Sequence, residues 1–247
     1  MAASVEHGKA SPRKRAVNGR IQAEVTGGAA TMPHRMDTDR LIDSMPGASD
    51  ALRALARRGT VRRYARGRLL IEEGDVGDTL YIILDGRLRA FAANDEGREI
   101  TFNELRAGDY VGEMSLDGGP RSASVEVEEP ALCAVVTRRT LEAFVHERPE
   151  FAFELLSKVI RVARAATETA RAMALDDVYG RVRLLLESSS DPQPDGTRRL
   201  RHRLTHAQIA QRTGCSRSMV SRVMKSLERG GCFAKPDRLL RPLPLRY

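Results

Sequence analysis

The stretch THAQIAQRTGCSRSMVSRVMKSLER, residues 205–229, limits the possible folds of this chain more than any other segment. Gly214 and Val220 stand four and ten residues after Ala210, and Ile209, Val223 and Leu227 supply the apolar positions around them. That spacing lets two short helices cross steeply around a tight turn, which describes a helix-turn-helix. Ala210 must be small because the helices touch there, and Gly214 turns the chain where a Cβ would obstruct it. Thr205 and Gln208 form a T-x-x-Q capping box, Ser216 caps the second helix, and Gly230 and Gly231 end it. Beyond its Ser216 cap, the second helix is expected to expose Arg217, Ser218, Ser221, Arg222 and Lys225, donors suited to base edges and phosphates. The same spacing also fits an ordinary helical hairpin whose basic face is merely solvated.

The distribution of charge bears on that choice. Residues 178–247 hold fifteen Lys/Arg against five Asp/Glu, a net +10, whereas residues 36–177 carry −6 and residues 1–35 carry +4. A basic module joined to an acidic one is the electrostatic footprint of a DNA-binding unit attached to something else. The 247 residues have room for one large or two modest domains. No run approaches the ~18 apolar residues of a membrane span, and the N-terminus lacks the apolar core of a secretory signal. A cytoplasmic protein without membrane contact is the expectation. Cys133, Cys215 and Cys232 are odd in number and scattered, so they read as reduced structural thiols.

Residues 1–35 mix small and basic residues without periodicity and are expected to form a disordered basic tail. Residues 36–148 make the next unit. Between 60 and 140, short apolar runs (Leu69–Ile71, Leu80–Leu84, Leu88–Ala92, Thr101–Leu105, Val125–Val127, Leu132–Val136) alternate with turn signals such as Asp85–Gly86 and Ala107–Gly108–Asp109. Even spacing of that kind predicts an antiparallel barrel or jelly roll. Residues 149–176 lack glycine, and Leu156, Val159, Ala163, Ala166, Ala170 and Met173 recur in steps of three and four. They predict a long helix with a coiled-coil seam, used for dimerisation or packed on its own domain. Residues 177–247 hold the basic module, with a loop at Ser188–Gly196 and a short hairpin wing in Phe233–Leu245, where Pro236, Pro242 and Pro244 permit only edge or broken strands. The class is therefore α+β.

Inside the strand region lies VGEMSLDGGPRSA, residues 111–123. Gly112 lets backbone approach a ligand, Arg121 offers a two-pronged fork to a phosphate, and the amides around Ser122 and Ala123 can form an anion-accepting hollow. Glu113, followed by Met114, is an acceptor suited to a sugar hydroxyl. Together they would hold a cyclic sugar phosphate at both ends. Alternatively, Glu113 and Arg121 merely pair across a turn.

The segments GDVGDTLYIILDGRLR, GEMSLDGGPRSASV, LDDVYGRV (175–182) and GCSRSMVSRVMKSLE resemble, in order, those of the cAMP receptor protein/FNR family of bacterial transcription regulators. The resemblance runs from Leu69 to Leu227. It implies an N-terminal cyclic-nucleotide-binding β-roll, a long dimerisation helix and a C-terminal winged helix-turn-helix. It further implies that Glu113 meets the ribose 2′-hydroxyl and that Arg121, Ser122 and the Ala123 amide hold the cyclic phosphate. Arg217 and Arg222 would lie against guanines and neighbouring backbone of a palindromic operator, with RNA polymerase as a further partner. Two departures matter. The adenine-facing Thr-Ser pair of the cAMP receptor protein is Ala166–Thr167 here, which removes one base contact and leaves the Thr167 hydroxyl to reach across a dimer. Ser218 replaces a glutamate of the recognition helix and is less selective for cytosine. The chain also departs from the iron–sulfur and haem relatives: no Cys precedes Cys133, and no His lies between His34 and His146.

The expected function is a dimeric regulator whose helix-turn-helix domains are placed by a bound cyclic nucleotide, cAMP in the first instance. The alternatives keep DNA binding with cyclic di-GMP as effector, or with no small-molecule control. No metal, haem or iron–sulfur cluster is expected. Catalysis is not expected either, because the five histidines and three cysteines form no ligand or triad spacing.

Overall fold

A computed structural model of the chain describes residues 35–234 and 239–241. The basic tail, apart from Arg35, and the three prolines of the wing lie outside them. Two helices that the strand pattern does not announce come first, α1 (Arg35–Asp43) and α2 (Asp50–Arg58). Ser49 caps α2 by accepting from the Leu52 amide, and Leu52, Leu55 and Ala56 form its buried face.

The β-roll follows as β1 (Thr60–Tyr64), β2 (Leu69–Ile71), β3 (Thr79–Ala93), β4 (Glu99–Arg106), β5 (Tyr110–Val111) and β6 (Ser124–Thr137), with a 3-10 turn at Glu113–Ser115. All pairings are antiparallel, in the order β1-β6-β3-β4, with β2 on β6 and β5 on β3. One expected turn is corrected. Asp85–Gly86 lies within β3, which joins the runs 80–84 and 88–92 into one bulged strand whose register shifts around Asp85. A Cβ on Gly86 would stand 2.3 Å from the Pro130 carbonyl oxygen, so this glycine serves a close cross-strand approach rather than a hairpin. β6 likewise joins the two runs expected as separate strands.

Helices α3 (Arg138–Glu147) and α4 (Glu150–Leu175) leave the roll, and Phe144 meets Phe151 edge-on at 5.4 Å where they join. α4 falls within one residue of its expected limits. Its exposed apolar stripe differs from the expected seam, running through Phe153, Leu156, Ile160, Ala163, Thr167, Ala170 and Ala174, again in steps of three and four. Val159 and Met173, both expected on the seam, are half-buried within the chain. A 3.5-residue period has several registers, and burial within the chain, as of Met173 on Gly214, bears on which one is exposed.

The second domain comprises α5 (Val178–Ser188), β7 (Ser190–Pro192), β8 (Arg198–Leu200), α6 (His206–Thr213), α7 (Arg217–Arg229), β9 (Phe233–Ala234) and β10 (Leu239–Leu240). Its sheet order is β7-β8-β10-β9. The expected loop at 188–196 is therefore corrected to a hairpin, with β7 inside it. Val182, Leu186, Ile209, Val220, Met224 and Leu227 form a separate core. The two domains touch: Gln211 donates to Glu99 at 2.9 Å, Arg212 pairs with Glu104, and Met173 lies against Gly214. Among the described residues no helix is long and apolar enough to cross a membrane.

Candidate functional site

The loop between β5 and β6 and the turn Gly74–Thr79 close on one buried guanidinium. Arg121 is 7% exposed. Its Nη1 donates to the Gly112 carbonyl (3.0 Å) and Ser115 Oγ (2.7 Å), and its Nη2 donates to the Thr79 carbonyl (2.9 Å) and Thr79 Oγ1 (3.1 Å). The fork expected to face a phosphate is thus turned inward, and only Nε–H is left unengaged. Two glycines make the space. A Cβ on Gly77 would lie 2.8 Å from Arg121 Nε, and one on Gly112 would lie 2.9 Å from Nη1 and 2.4 Å from the Thr79 oxygen. Gly112 has φ +107, so it also supplies a backbone conformation that side chains resist.

All four acceptors are neutral. Among the described residues Arg121 forms no ion pair, so the expected alternative of a Glu113–Arg121 pair is not what the structure contains. Burial pulls the guanidinium pKa below its usual value. The charges of Asp78, Glu113 and Asp75 oppose that shift without pairing directly with the guanidinium, so its Nε–H is left for a further acceptor. Beside it, the Ser122 and Ala123 amides and the Ser122 hydroxyl carry no hydrogen bond among the described residues. Glu113 is also 7% exposed, its Oε2 is buried without a partner, and burial holds its carboxyl above the usual carboxylate range. Met114 is part-exposed on the same turn. The sequence-derived residues Gly112, Glu113, Arg121, Ser122 and Ala123 thus lie on one loop that holds a buried guanidinium without an ion pair and an unsatisfied carboxylate oxygen. Thr79, Ser115 and Gly77, which orient Arg121, were not in the expected set, and the buried Lys158 and Tyr110 join Glu113 from α4 and β5. Thr167 does not join them. It lies on the exposed stripe of α4 with its hydroxyl bonded back to the Ala163 carbonyl at 3.0 Å.

The helix-turn-helix is built as its local signals require. Thr205 and Gln208 complete a reciprocal capping box, and Gly214 takes φ +62. Ser216 Oγ accepts from the Met219 amide, which places the N-terminus of α7 at the surface. Arg217, Ser218, Arg222 and Lys225 are exposed, and neither arginine nor the lysine has a partner among the described residues. Ser221 is corrected: it is half-buried, and its Oγ lies 2.9 Å from His206 Nδ1. Met219, absent from the expected set, is exposed one turn before Arg222. Arg181 braces the assembly from α5, donating to the Thr213 and Asp176 carbonyls at 3.0 and 2.7 Å.

Known proteins carry both parts in the same order. The sequence pattern of the cyclic nucleotide-binding domain matches residues 61–148, and that of the Crp-like helix-turn-helix domain matches residues 182–241. The cAMP-activated global transcriptional regulator CRP of Salmonella typhimurium is 30% identical over 175 residues, covering 68% of this chain and 82% of that protein. The CRP-like cAMP-activated global transcriptional regulator of Mycobacterium tuberculosis is 30% identical over 185 residues, 73% of this chain and 83% of its own length. Among solved structures, the c-di-GMP responsive global regulator CLP of Xanthomonas campestris superposes with a TM-score of 0.67 over 79% of this chain and 99% of its own. At 21% identity that likeness concerns the fold alone.

Proposed function

The chain belongs to the cAMP receptor protein/FNR family of bacterial transcription regulators, and on that premise we propose that a cyclic nucleotide lodged in the β-roll sets the placement of the helix-turn-helix domains of a dimer. The chain is a ligand-responsive transcription regulator, and the effector and its action are the proposal. One observation supports it: a buried Arg121 without an ion pair adjoins the Ser122 and Ala123 amides, which carry no hydrogen bond among the described residues, on the loop that also bears the unpartnered Oε2 of Glu113. A cyclic phosphate supplies the missing negative charge to Arg121 Nε–H and the amides, and the ribose hydroxyl supplies a donor to Glu113.

Dimerisation is supported by the stripe Phe153, Leu156, Ile160, Ala163, Thr167, Ala170 and Ala174, whose large members would cost solubility if left in water. Thr167 on that stripe would reach a nucleotide in the partner subunit's roll. Arg217, Ser218, Arg222 and Lys225 then face successive grooves of a palindromic operator. A ligand shifts the domain arrangement only by its differential affinity for the two states.

cAMP is the first candidate effector, since the relatives named above are cAMP-activated. Ala166 favours a second reading, because it offers adenine no side-chain hydrogen bond. A larger cyclic nucleotide such as cyclic di-GMP is then the competitor. Calorimetric titration of the purified protein with cAMP, cGMP and cyclic di-GMP decides among them. Saturable binding of one, accompanied by tighter or weaker operator binding, is expected. No heat from any of the three would overturn the pocket assignment.

A further inference from the structure

Lys158 is a charged residue on the inner face of α4, 8% exposed, with neither an ion pair nor a hydrogen bond among the described residues. Its default partner is Glu154, four residues earlier on the same helix. That carboxylate instead accepts from Ser49 Oγ at 2.6 Å. The ammonium lies 5.0 Å from the centroid of the Tyr110 ring, which replaces only part of the hydration a buried cation loses. Two more polar atoms in this corner have no partner, the Tyr110 hydroxyl and Glu113 Oε2. The Lys158 charge acts on Glu113, yet the two form no ion pair among the described residues, so they stand beyond direct contact. A hydroxyl group could bridge such a pair, because its O–H donates while its lone pairs accept.

Resting on the nucleotide reading, we propose that Lys158 is a specificity-determining residue of the pocket: its ammonium donates to the sugar hydroxyl whose own proton is donated to Glu113 Oε2. Selection of ribose over 2′-deoxyribose is then exerted from α4, whose opposite side carries the apolar stripe. The helix that would join two protomers thus registers the hydroxyl directly.

The arrangement predicts a dependence on pH. Glu113 is faced by Lys158 from α4, by Arg121 from the loop before β6, and by Tyr110 from β5, with Glu154, Arg161 and Asp109 around Tyr110. Burial raises the Glu113 pKa, while the Lys158 and Arg121 charges oppose that rise. Removing the Lys158 charge raises it further. Binding that needs the ionised carboxylate is lost as pH falls through that pKa, so in the variant the loss begins at higher pH.

The test titrates the full-length protein with cAMP and 2′-deoxy-cAMP from neutral to mildly acidic pH. Wild type is expected to prefer cAMP by roughly ten- to a hundredfold, the worth of a hydrogen bond to a charged group. Lys158→Met, which keeps the length of the stem, should shrink that preference to a few-fold and move the acidic limb upward, and Lys158→Arg should restore both. An unchanged preference and an unchanged limb in Lys158→Met would overturn the inference while leaving the pocket intact. Failure of wild type to bind either nucleotide would overturn the pocket reading and this inference together. If Lys158→Met does not fold, carbon-13 spectra of ε-labelled lysine in wild type decide the matter. The Lys158 signal must move with cAMP and stay in place with 2′-deoxy-cAMP, and equal movement would sink the idea.

Discussion

The roll and the recognition helix use arginine in opposite ways. Arg121 is buried with four donors already engaged by Gly112, Ser115 and Thr79. Arg217 and Arg222 stand in solvent with no partner among the described residues. The first is part of the fold before any ligand arrives, so a phosphate meets a preformed field and little side-chain entropy is lost. The second pair contributes only when DNA supplies its acceptors, which suits contacts that must form and dissolve with operator binding. A substitution should therefore reveal which kind of arginine it removes.

The largest effect is expected at Arg121. Arg121→Ala removes four hydrogen bonds and the charge, and leaves the Gly112 and Thr79 carbonyls and the Ser115 hydroxyl unsatisfied in a buried site. Stability should fall by about 2–4 kcal/mol in denaturant titrations. Cyclic-nucleotide affinity should fall by about a hundredfold or more. Loss of nucleotide binding with stability untouched would break the comparison, because Arg121 would then be a ligand contact and not also a clamp.

Arg217→Ala and Arg222→Ala should show the reverse pattern. Each is expected to weaken binding to the cognate operator by about 1–3 kcal/mol and to relax preference at one base pair. Stability should move by no more than about 0.5 kcal/mol, as for other exposed positions. Operator affinity of the wild type should fall steeply with salt, and each variant that loses a phosphate contact should flatten the slope by about one unit. An unchanged footprint in both variants would mean that α7 enters the groove by another face.

What could be read from the sequence follows from how local each cause is. The Thr205–Gln208 capping box, the turn at Gly214, the Ser216 cap and the limits of α4 depend on neighbours a few residues away, and the structure contains them as expected. Gly112, Glu113, Arg121, Ser122 and Ala123 could be proposed together because they lie on one loop. Arg121's orientation was not legible, since its Nη2 is held by Thr79, 42 residues earlier. Asp85–Gly86 carries the residue signature of a hairpin turn, and only the Pro130 backbone opposite reveals why glycine is needed there. Lys158 reads as one more cation on a charged helix until Tyr110 and Glu113 are brought beneath it. The exposed register on α4 differs from the expected seam at Val159 and Met173 for a related reason: apolar spacing fixes the period, whereas the choice of register belongs to the surface the helix packs on.

The smallest effect sharpens the comparison from within α7 itself. A helical wheel groups Ser221 with Arg217, Ser218, Arg222 and Lys225, yet its hydroxyl faces His206 at the start of α6, 2.9 Å away. This bond joins the two helices of the motif and should fix their crossing angle. Ser221→Ala should accordingly lower the stability of the protein by about 0.5–1.5 kcal/mol, the net worth of one neutral hydrogen bond. Base preference should stay as it is, with any loss of operator affinity uniform across sequences. His206→Ala should lower stability by a similar amount, and the double variant should lose less than the sum, because both single changes remove the same bond. A change in base preference with no change in stability would place Ser221 among the groups that read DNA, and the line between internal and outward-facing donors would then fall differently along this helix.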